Sequence, residues 1–300
     1  GVTVRGNTGV IGQQNYVGGA ATLTNQGSII SDGSGTITVN PSGALTNDGL
    51  FRAQNGTLVV QRNVGGTGTL QVDGAGAMTL ANGGNSQGAL RMGAAGAALN
   101  LGTGNLVISS DYTNTGAGSG NSFNRRAGVS GTGQIQAGGD VSQVITGANV
   151  TNGSTSNATL TIGNVRVGAN TFNYQIGNAG TNGPTLRGAL QTAANGGNIS
   201  DGRLSGAGVT ASNYNAGGPG GNSGNQAVVF NAASAGVLAP LSGQVVNLRS
   251  NFENIADQKL NIVLAGGAAA YNTAVGSAGS PIAIANQPAL YSFFENPPPD

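Results

Sequence analysis

LTNQG at residues 23–27 returns as LTNDG at 45–49, an offset of 22, and GTITV at 35–39 returns as GTLVV at 56–60, an offset of 21. Two unrelated motifs that recur at nearly one period mark an internal repeat. Further units follow: GTLQV at 68–72, GAMTL at 76–80, GALRM at 88–92, AALNL at 97–101 and NLVIS at 105–109. Each is about five residues long, alternates apolar and polar, and is closed by Gly, Asn or Asp, which reads as a short strand followed by a turn. A strand that short cannot bury its apolar face alone, so the coil that carries it must stack on a copy of itself. A period of ~20 residues made of three short strands describes one coil of a parallel β-helix.

The expected inward set is Leu23, Ile37, Val39, Leu45, Leu58, Val60, Leu70, Val72, Met78, Leu80, Leu90, Met92, Leu99, Leu101, Leu106 and Ile108. With coils ~4.8 Å apart, about six of them make a prism on the order of 30 Å long. Glycine and asparagine are expected at its corners, because turns call for φ > 0 and Asn tolerates it best after Gly. Stacked Asn amides can also hydrogen bond from coil to coil. Both ends of such a prism carry unpaired backbone and need covering. Residues 1–20 and the segment 111–140, with Phe123, Arg125 and Arg126, are the candidate covers or docking segments. The arginine pair is expected to cap carbonyls of the last coil and tie it to the next domain, since a guanidinium satisfies several acceptors. The alternative role is binding an anionic glycan.

Composition narrows the chemistry. The chain has 300 residues, 56 of them glycine and 36 asparagine, and only 21 carry a charge. Globular averages are roughly 7% glycine and 25% charged residues. There is no histidine or cysteine, which removes zinc fingers, thiol nucleophiles and Ser/His/Asp triads. The net charge is +1 with Arg125 and Arg126 as the one adjacent basic pair, so nucleic acid, which needs a concentrated basic face, is not expected as a partner. No run approaches the ~18 apolar residues of a membrane helix, so membrane insertion is not expected. Residues 1–20 lack the pattern of a signal peptide, and the expectation for an exported protein is that the signal has been removed. Disorder is disfavoured by the 38% hydrophobic content arranged in alternating runs.

Past residue 145 the repeat dissolves into longer runs: LTIGNVRVG at 160–168, TFNYQIGN at 171–178, QAVVFNAA at 226–233, GQVVNLRSNF at 243–252 and QKLNIVLAGGAAAY at 258–271. Strands of this length between Gly/Asn/Pro loops suggest a sandwich of about seven strands. The segments DYTNTGAGSGNSFNRRAGVSGTGQI (111–135), NVRVGANTFNYQIGNAGTNGPTLRGALQTAANGGNISDGRLSGAGV (164–209) and VVFNAASAGVLAPLSGQVVNLRSNFENIADQKLNI (228–262) resemble the choice-of-anchor D type domains of bacterial surface proteins. In such proteins an autotransporter-like or haemagglutinin-like β-helix often precedes the domain. The resemblance implies a secreted, surface-associated protein with an Ig-like module and no catalytic residues.

The expected fold is therefore all-β: a short right-handed parallel β-helix followed by an Ig-like β-sandwich. The expected organisation is an N-terminal cap or docking segment over 1–20, the β-helix with its capping segment over 21–145, the sandwich over 146–271 and a C-terminal extension over 272–300.

Asp32, Asp48 and Asp73 sit in SDG, NDG and VDG tripeptides and read as turn residues rather than the acids of a lyase or glycosidase. GGTGTLQVDG at 65–74 lacks Asp at the fifth position of a calcium nonapeptide. No metal or other cofactor is expected. Lys259, the single lysine, follows Glu253 and Asp257 within six residues; a cross-link from Lys to Asn is weighed against an ordinary ion pair, which is favoured. The tail GSPIAIANQPALYSFFENPPPD (279–300) places Ile282, Ile284, Leu290, Tyr291, Phe293 and Phe294 at alternating or clustered positions. These residues are candidate subunit contacts of a strand exchanged between copies.

The resulting expectation is a non-catalytic, secreted bacterial protein, extracellular or on the cell surface. It would assemble head to tail with itself into a filament or matrix fibre. The alternatives are an adhesin for glycan or host surface and, more weakly, a polysaccharide-active enzyme.

Overall fold

The computed structural model describes residues 1–12, 19–93 and 96–272, which form strands, turns and three single-turn 3-10 helices. The repeat region is a parallel β-solenoid with three faces. The longest face stacks Thr3–Gly6, Ser28–Ser31, Leu50–Ala53, Thr69–Val72, Asn85–Met92, Leu106–Asn114 and Ile135–Ala137 in that order. The second stacks Gly9–Ile11, Thr36–Val39, Thr57–Val60, Ala77–Thr79, Ala98–Asn100 and Val129–Ser130. A short third face holds Leu23–Asn25, Leu45–Asn47 and Val64–Gly65.

Register converts the sequence repeat into columns of like side chains. Val4, Ile29, Phe51, Leu70, Leu90 and Tyr112 are successive partners on the long face. Ile37, Leu58, Met78, Leu99 and Val129 form the column opposite. Each fully buried Leu in such a column contributes about 1.5–3 kcal/mol, which is how strands of three or four residues remain folded. All of the inward set read from the repeat is buried except Leu23, which is half-buried at the start of the third face. The strands SIIS and LFRA were not recognised in the sequence, so the core members Ile29 and Phe51 are additions.

At the corners the expected coil-to-coil bonding of Asn amides is present, whereas left-handed asparagines are not found among the described solenoid residues. Among the described residues the left-handed asparagines are Asn152 and Asn195, both outside the solenoid. Solenoid asparagines instead work through their side chains. Asn25 Nδ2 donates to Asn47 Oδ1 at 2.7 Å, and Asn47 Nδ2 donates to Gln87 Oε1 at 2.7 Å and to Thr69 O at 3.3 Å. Asn47 has no exposed surface. In the intervening coil the position equivalent to Asn47 is Gly66, and the longer Gln87 spans the gap. Many glycines are likewise set by proximity rather than by φ. A Cβ on Gly49 would overlap Gly27 O, and one on Gly68 would overlap Gly49 O. This column needs glycine so that consecutive coils can approach to one strand spacing.

Residues 1–12 correct the expected organisation. Thr3–Gly6 and Gly9–Ile11 are hydrogen bonded in parallel register to the coil that follows, so the segment placed as a cap over 1–20 begins as a coil. At the other boundary, Gln143–Thr146 pairs with Gly168–Asn178, and the last solenoid strand is Ile135–Ala137.

The second unit is dominated by antiparallel pairing. A four-stranded sheet orders Gln143–Thr146, Gly168–Asn178, Gln226–Ala232 and Leu204–Ser205. A six-stranded sheet orders Val150–Thr151, Asn157–Ile162, Gln258–Leu264, Gln244–Ser250, Leu186–Gln191 and Ser212–Gly217. Buried residues of both, including Tyr174, Ile176 and Phe230 from the first and Leu160, Leu190, Tyr214 and Leu248 from the second, form one core. Within the six-stranded sheet Asn157–Ile162 and Gln258–Leu264 run parallel.

Two tests follow from these packing facts. Asn47→Ala leaves the buried Gln87 Oε1 without its donor and takes the shortest bond from the Asn25 amide, which keeps only long contacts to Gly27 O and Leu50 O, a cost of roughly 1–3 kcal/mol for each lost bond. Denaturant melts should report a loss of about 2–4 kcal/mol, against a change within about 0.5 kcal/mol for a surface substitution such as Thr36→Ser. The second concerns pH. Burial pushes the Tyr112 phenol from 10.0 up to about 12, and burial raises Tyr174 and Tyr214 further. The neutral phenol is favoured in the folded state, so this stability is fully present below the unfolded value of 10.0 and is lost as pH rises above it. Stability should fall steeply between pH 10 and 12, with buried phenolate absorbance rising together with loss of the strand circular dichroism. Ionisation of the buried tyrosines well before unfolding would contradict the assignment.

Candidate functional site

The last solenoid strand, Ile135–Ala137, has one neighbour in its sheet, and its free edge is covered by residues 252–254 of the second unit. Glu253 N donates to Ile135 O at 2.9 Å, and the Glu253 carboxylate accepts from Ile135 N at 2.8 Å. One step on, Asn254 uses its side-chain amide as a substitute strand: Oδ1 accepts from Ala137 N at 2.8 Å and Nδ2 donates to Ala137 O at 3.0 Å. Phe252 is fully buried and joins the solenoid core, its ring centroid 6.1 Å from that of Tyr112. The long-face column that begins at Val4 thus ends under an aromatic ring from the second unit.

Arg125 and Arg126 are drawn into this cap. Arg126 Nη1 donates to Gly133 O at 2.7 Å and Nη2 to Gly131 O at 2.7 Å, while Nη1 also pairs with Glu253 at 3.0 Å. Arg125 Nη1 donates to Phe252 O at 3.2 Å and to Asp257 Oδ1 at 3.2 Å. Phe123 is buried against Ala117 and Ala189, and Gln191 Nε2 donates to its carbonyl at 3.3 Å. Further ties are the bidentate Arg187–Asp111 pair at 2.9 and 3.2 Å and the Asn251 Nδ2 bond to Tyr112 O at 3.0 Å.

The other end of the solenoid has no comparable cover among the described residues. Val4, first member of the same column, is 42% exposed, Val2 is 78% exposed, and Ile11 and Leu23 are half-buried.

Between the solenoid and the second unit lies a cavity of about 360 Å³. Its buried side is made by Tyr112, Phe123 and Tyr214, and its exposed mouth by Thr115, Asn213 and Asn215. Arg187 and Thr113 complete the wall. Two of its strands, Leu186–Gln191 and Ser212–Gly217, escaped the sequence reading. The first is buried at five of its six positions and so has no alternation to read; the second is an edge strand of sequence SNYNAG.

The acids singled out in turns have local partners. Asp32 pairs with Arg5 and Asp73 with Arg52, each with a 2.7 Å contact, and Asp48 accepts from Thr67 N at 3.0 Å. Lys259 is exposed, and its register partners are Asn157 and Asn247. The acids that precede it are engaged elsewhere, Glu253 by Arg126 and Asp257 by Arg125. Ile282, Ile284, Leu290, Tyr291, Phe293 and Phe294 lie outside the described residues. Among the described residues no group of three or more acids is placed to hold a metal ion, and no helix is long and apolar enough to cross a membrane. No family model, curated protein or solved structure matches the chain.

Removing the Glu253 carboxylate should test the cap. Glu253→Ala deletes the acceptor for Ile135 N and the partner of Arg126, charge-assisted bonds worth roughly 1.5–3 kcal/mol each. A stability loss of about 2–4 kcal/mol is expected, with hydrogen-exchange protection lost first at Ile135. Unchanged protection there would show that the edge is held by something other than this loop.

Proposed function

We propose that the chain is a secreted bacterial structural protein, extracellular or at the cell surface, that joins to copies of itself head to tail in a filament or matrix fibre. In this reading the solenoid is a right-handed parallel β-helix and the second unit is an Ig-like sandwich. The resemblance of residues 111–271 to choice-of-anchor D type domains of surface proteins points the same way.

The observation that carries the proposal is the inequality of the two solenoid ends. One is sealed by Phe252, Glu253 and Asn254; the other leaves Val2 and Val4 exposed beside strands with one partner each. In this reading the exposed face of the first described coil receives the apolar tail, 279–300, of a neighbouring copy. An added strand supplies main-chain hydrogen bonds and side-chain anchors together. A head-to-tail contact of this kind does not close on itself and generates an open filament.

A role without catalysis is supported by the acids. Each acid among the described residues is in an ion pair or accepts a turn hydrogen bond, which leaves none poised as a general acid or base.

Electron microscopy of the purified chain should show fibres. Deleting 279–300 should abolish them, as should Val4→Asp, which places a charge on the exposed apolar end without entering the buried core. Fibres that persist in both variants would exclude the tail-to-first-coil contact, and monodisperse particles from the intact chain would exclude the filament.

A further inference from the structure

We propose that the cavity between the solenoid and the two-sheet unit binds a neutral sugar, one or two rings of a glycan. This site is separate from the filament contact, and a chain that stays monomeric can carry it.

Size is the first argument. At about 360 Å³ the cavity falls at the small end of the range for small-molecule sites, roughly 300–1,000 Å³. It has room for a mono- or disaccharide unit but not for a folded segment. Its position between two units is a preferred place for such sites.

Charge is the second. Both guanidiniums of the lining are held by protein acceptors: Arg187 by a bidentate pair with Asp111, and Arg125 by Asp257, which Arg249 also approaches at 3.9 Å, together with the carbonyls of Ser250 and Phe252. The wall therefore turns no free guanidinium toward a phosphate or carboxylate, and its lining contains no acid for a cationic ligand. A neutral ligand is favoured on both counts.

Hydrogen-bonding chemistry then selects among neutral ligands. Tyr112 and Phe123 form the apolar side, and the Tyr112 hydroxyl is already engaged, donating to Arg125 O at 2.6 Å; the Tyr214 side chain turns away from Asn213 and Asn215 into the second unit's core, where it donates to Gln143 Oε1. The mouth carries amides and hydroxyls. The Asn215 amide uses its oxygen on Gly217 N at 3.0 Å, which leaves its NH₂ group available to donate, and Asn213 has a single long contact to Gly118 O at 3.5 Å. Thr113 adds a rotatable hydroxyl. Such groups both donate and accept, which matches vicinal sugar hydroxyls, while the apolar interior matches the C–H face of a pyranose. The lining lacks a carboxylate pair, so the site is one of binding and not of glycoside cleavage. It is also preformed, because the Asn251 bonds to Tyr112 O and Arg187 N hold its two walls together.

Saturation-transfer NMR and calorimetry on the full chain would test the proposal. The probes are neutral hexoses, N-acetylhexosamines and their disaccharides, with glucuronate and inorganic phosphate as anionic controls. At least one neutral sugar should bind in the millimolar range or tighter, and the anions more weakly. Asn213→Ala with Asn215→Ala should weaken binding by at least about tenfold, and Asn215→Trp should block it. Both positions are exposed, so melting temperatures should stay near that of the parent chain. Failure of every neutral sugar, tighter binding of the anions, or binding indifferent to both variants would overturn the assignment. None of these outcomes depends on whether fibres form.

Discussion

The constraint on which this structure depends is that consecutive coils must stack at one strand spacing, about 4.8 Å. Backbone hydrogen bonds between coils exist only at that distance, and every corner has to allow it. Where the chain turns sharply, even a methyl group is too large, as the Gly27, Gly49 and Gly68 column demonstrates. Where a polar side chain is buried at a corner, it survives by bonding to its equivalent in an adjacent coil, as Asn25 does to Asn47. The glycine and asparagine that dominate the composition are two answers to a single geometric demand.

Stacking also creates the problem of ends, and the chain answers it at one end with its own second unit. The cap works because a carboxylate and a carboxamide reproduce what a strand would offer. Glu253 supplies an acceptor beside its own backbone donor, and Asn254 supplies a donor and an acceptor in one planar group. Arg126 then ties the turn carbonyls of Gly131 and Gly133 to the same carboxylate. Burying this much polarity is tolerable only when every group has a partner. The solenoid and the two-sheet unit are therefore joined by an interface as specific as a further coil.

How much of this was legible follows from the same physics. The repeat, the inward residues from Ile37 to Ile108 and the placement of Arg125 and Arg126 near a boundary can be read because alternation and offset survive in the letters. The Glu253 and Asn254 cap cannot, since it joins residues more than a hundred positions apart and leaves no local pattern. Leu186–Gln191 was equally opaque: a strand buried on both sides by the solenoid junction and its own core shows no period-two signal. Its Gly188, which reads as a breaker, lies where a Cβ would overlap Arg249 O. The cavity that these strands line was invisible for the same reason.

Scarcity of charge acquires a sharper meaning from this arrangement. Low charge reduces repulsion between copies, but the charges that remain are not scattered at random over the surface. Arg5 with Asp32 and Arg52 with Asp73 link adjacent coils. Arg125, Arg126 and Arg187 meet Asp257, Glu253 and Asp111 across the junction. Arg203 pairs with Asp201 while its guanidinium lies 5.3 Å from the Phe230 ring centre. The acids among the described residues hold coils and units in register, and the surface left over offers amides, hydroxyls and glycine. Such a surface offers hydrogen bonding and shape rather than charge, which is the basis on which a strand edge and a neutral sugar are proposed as its partners.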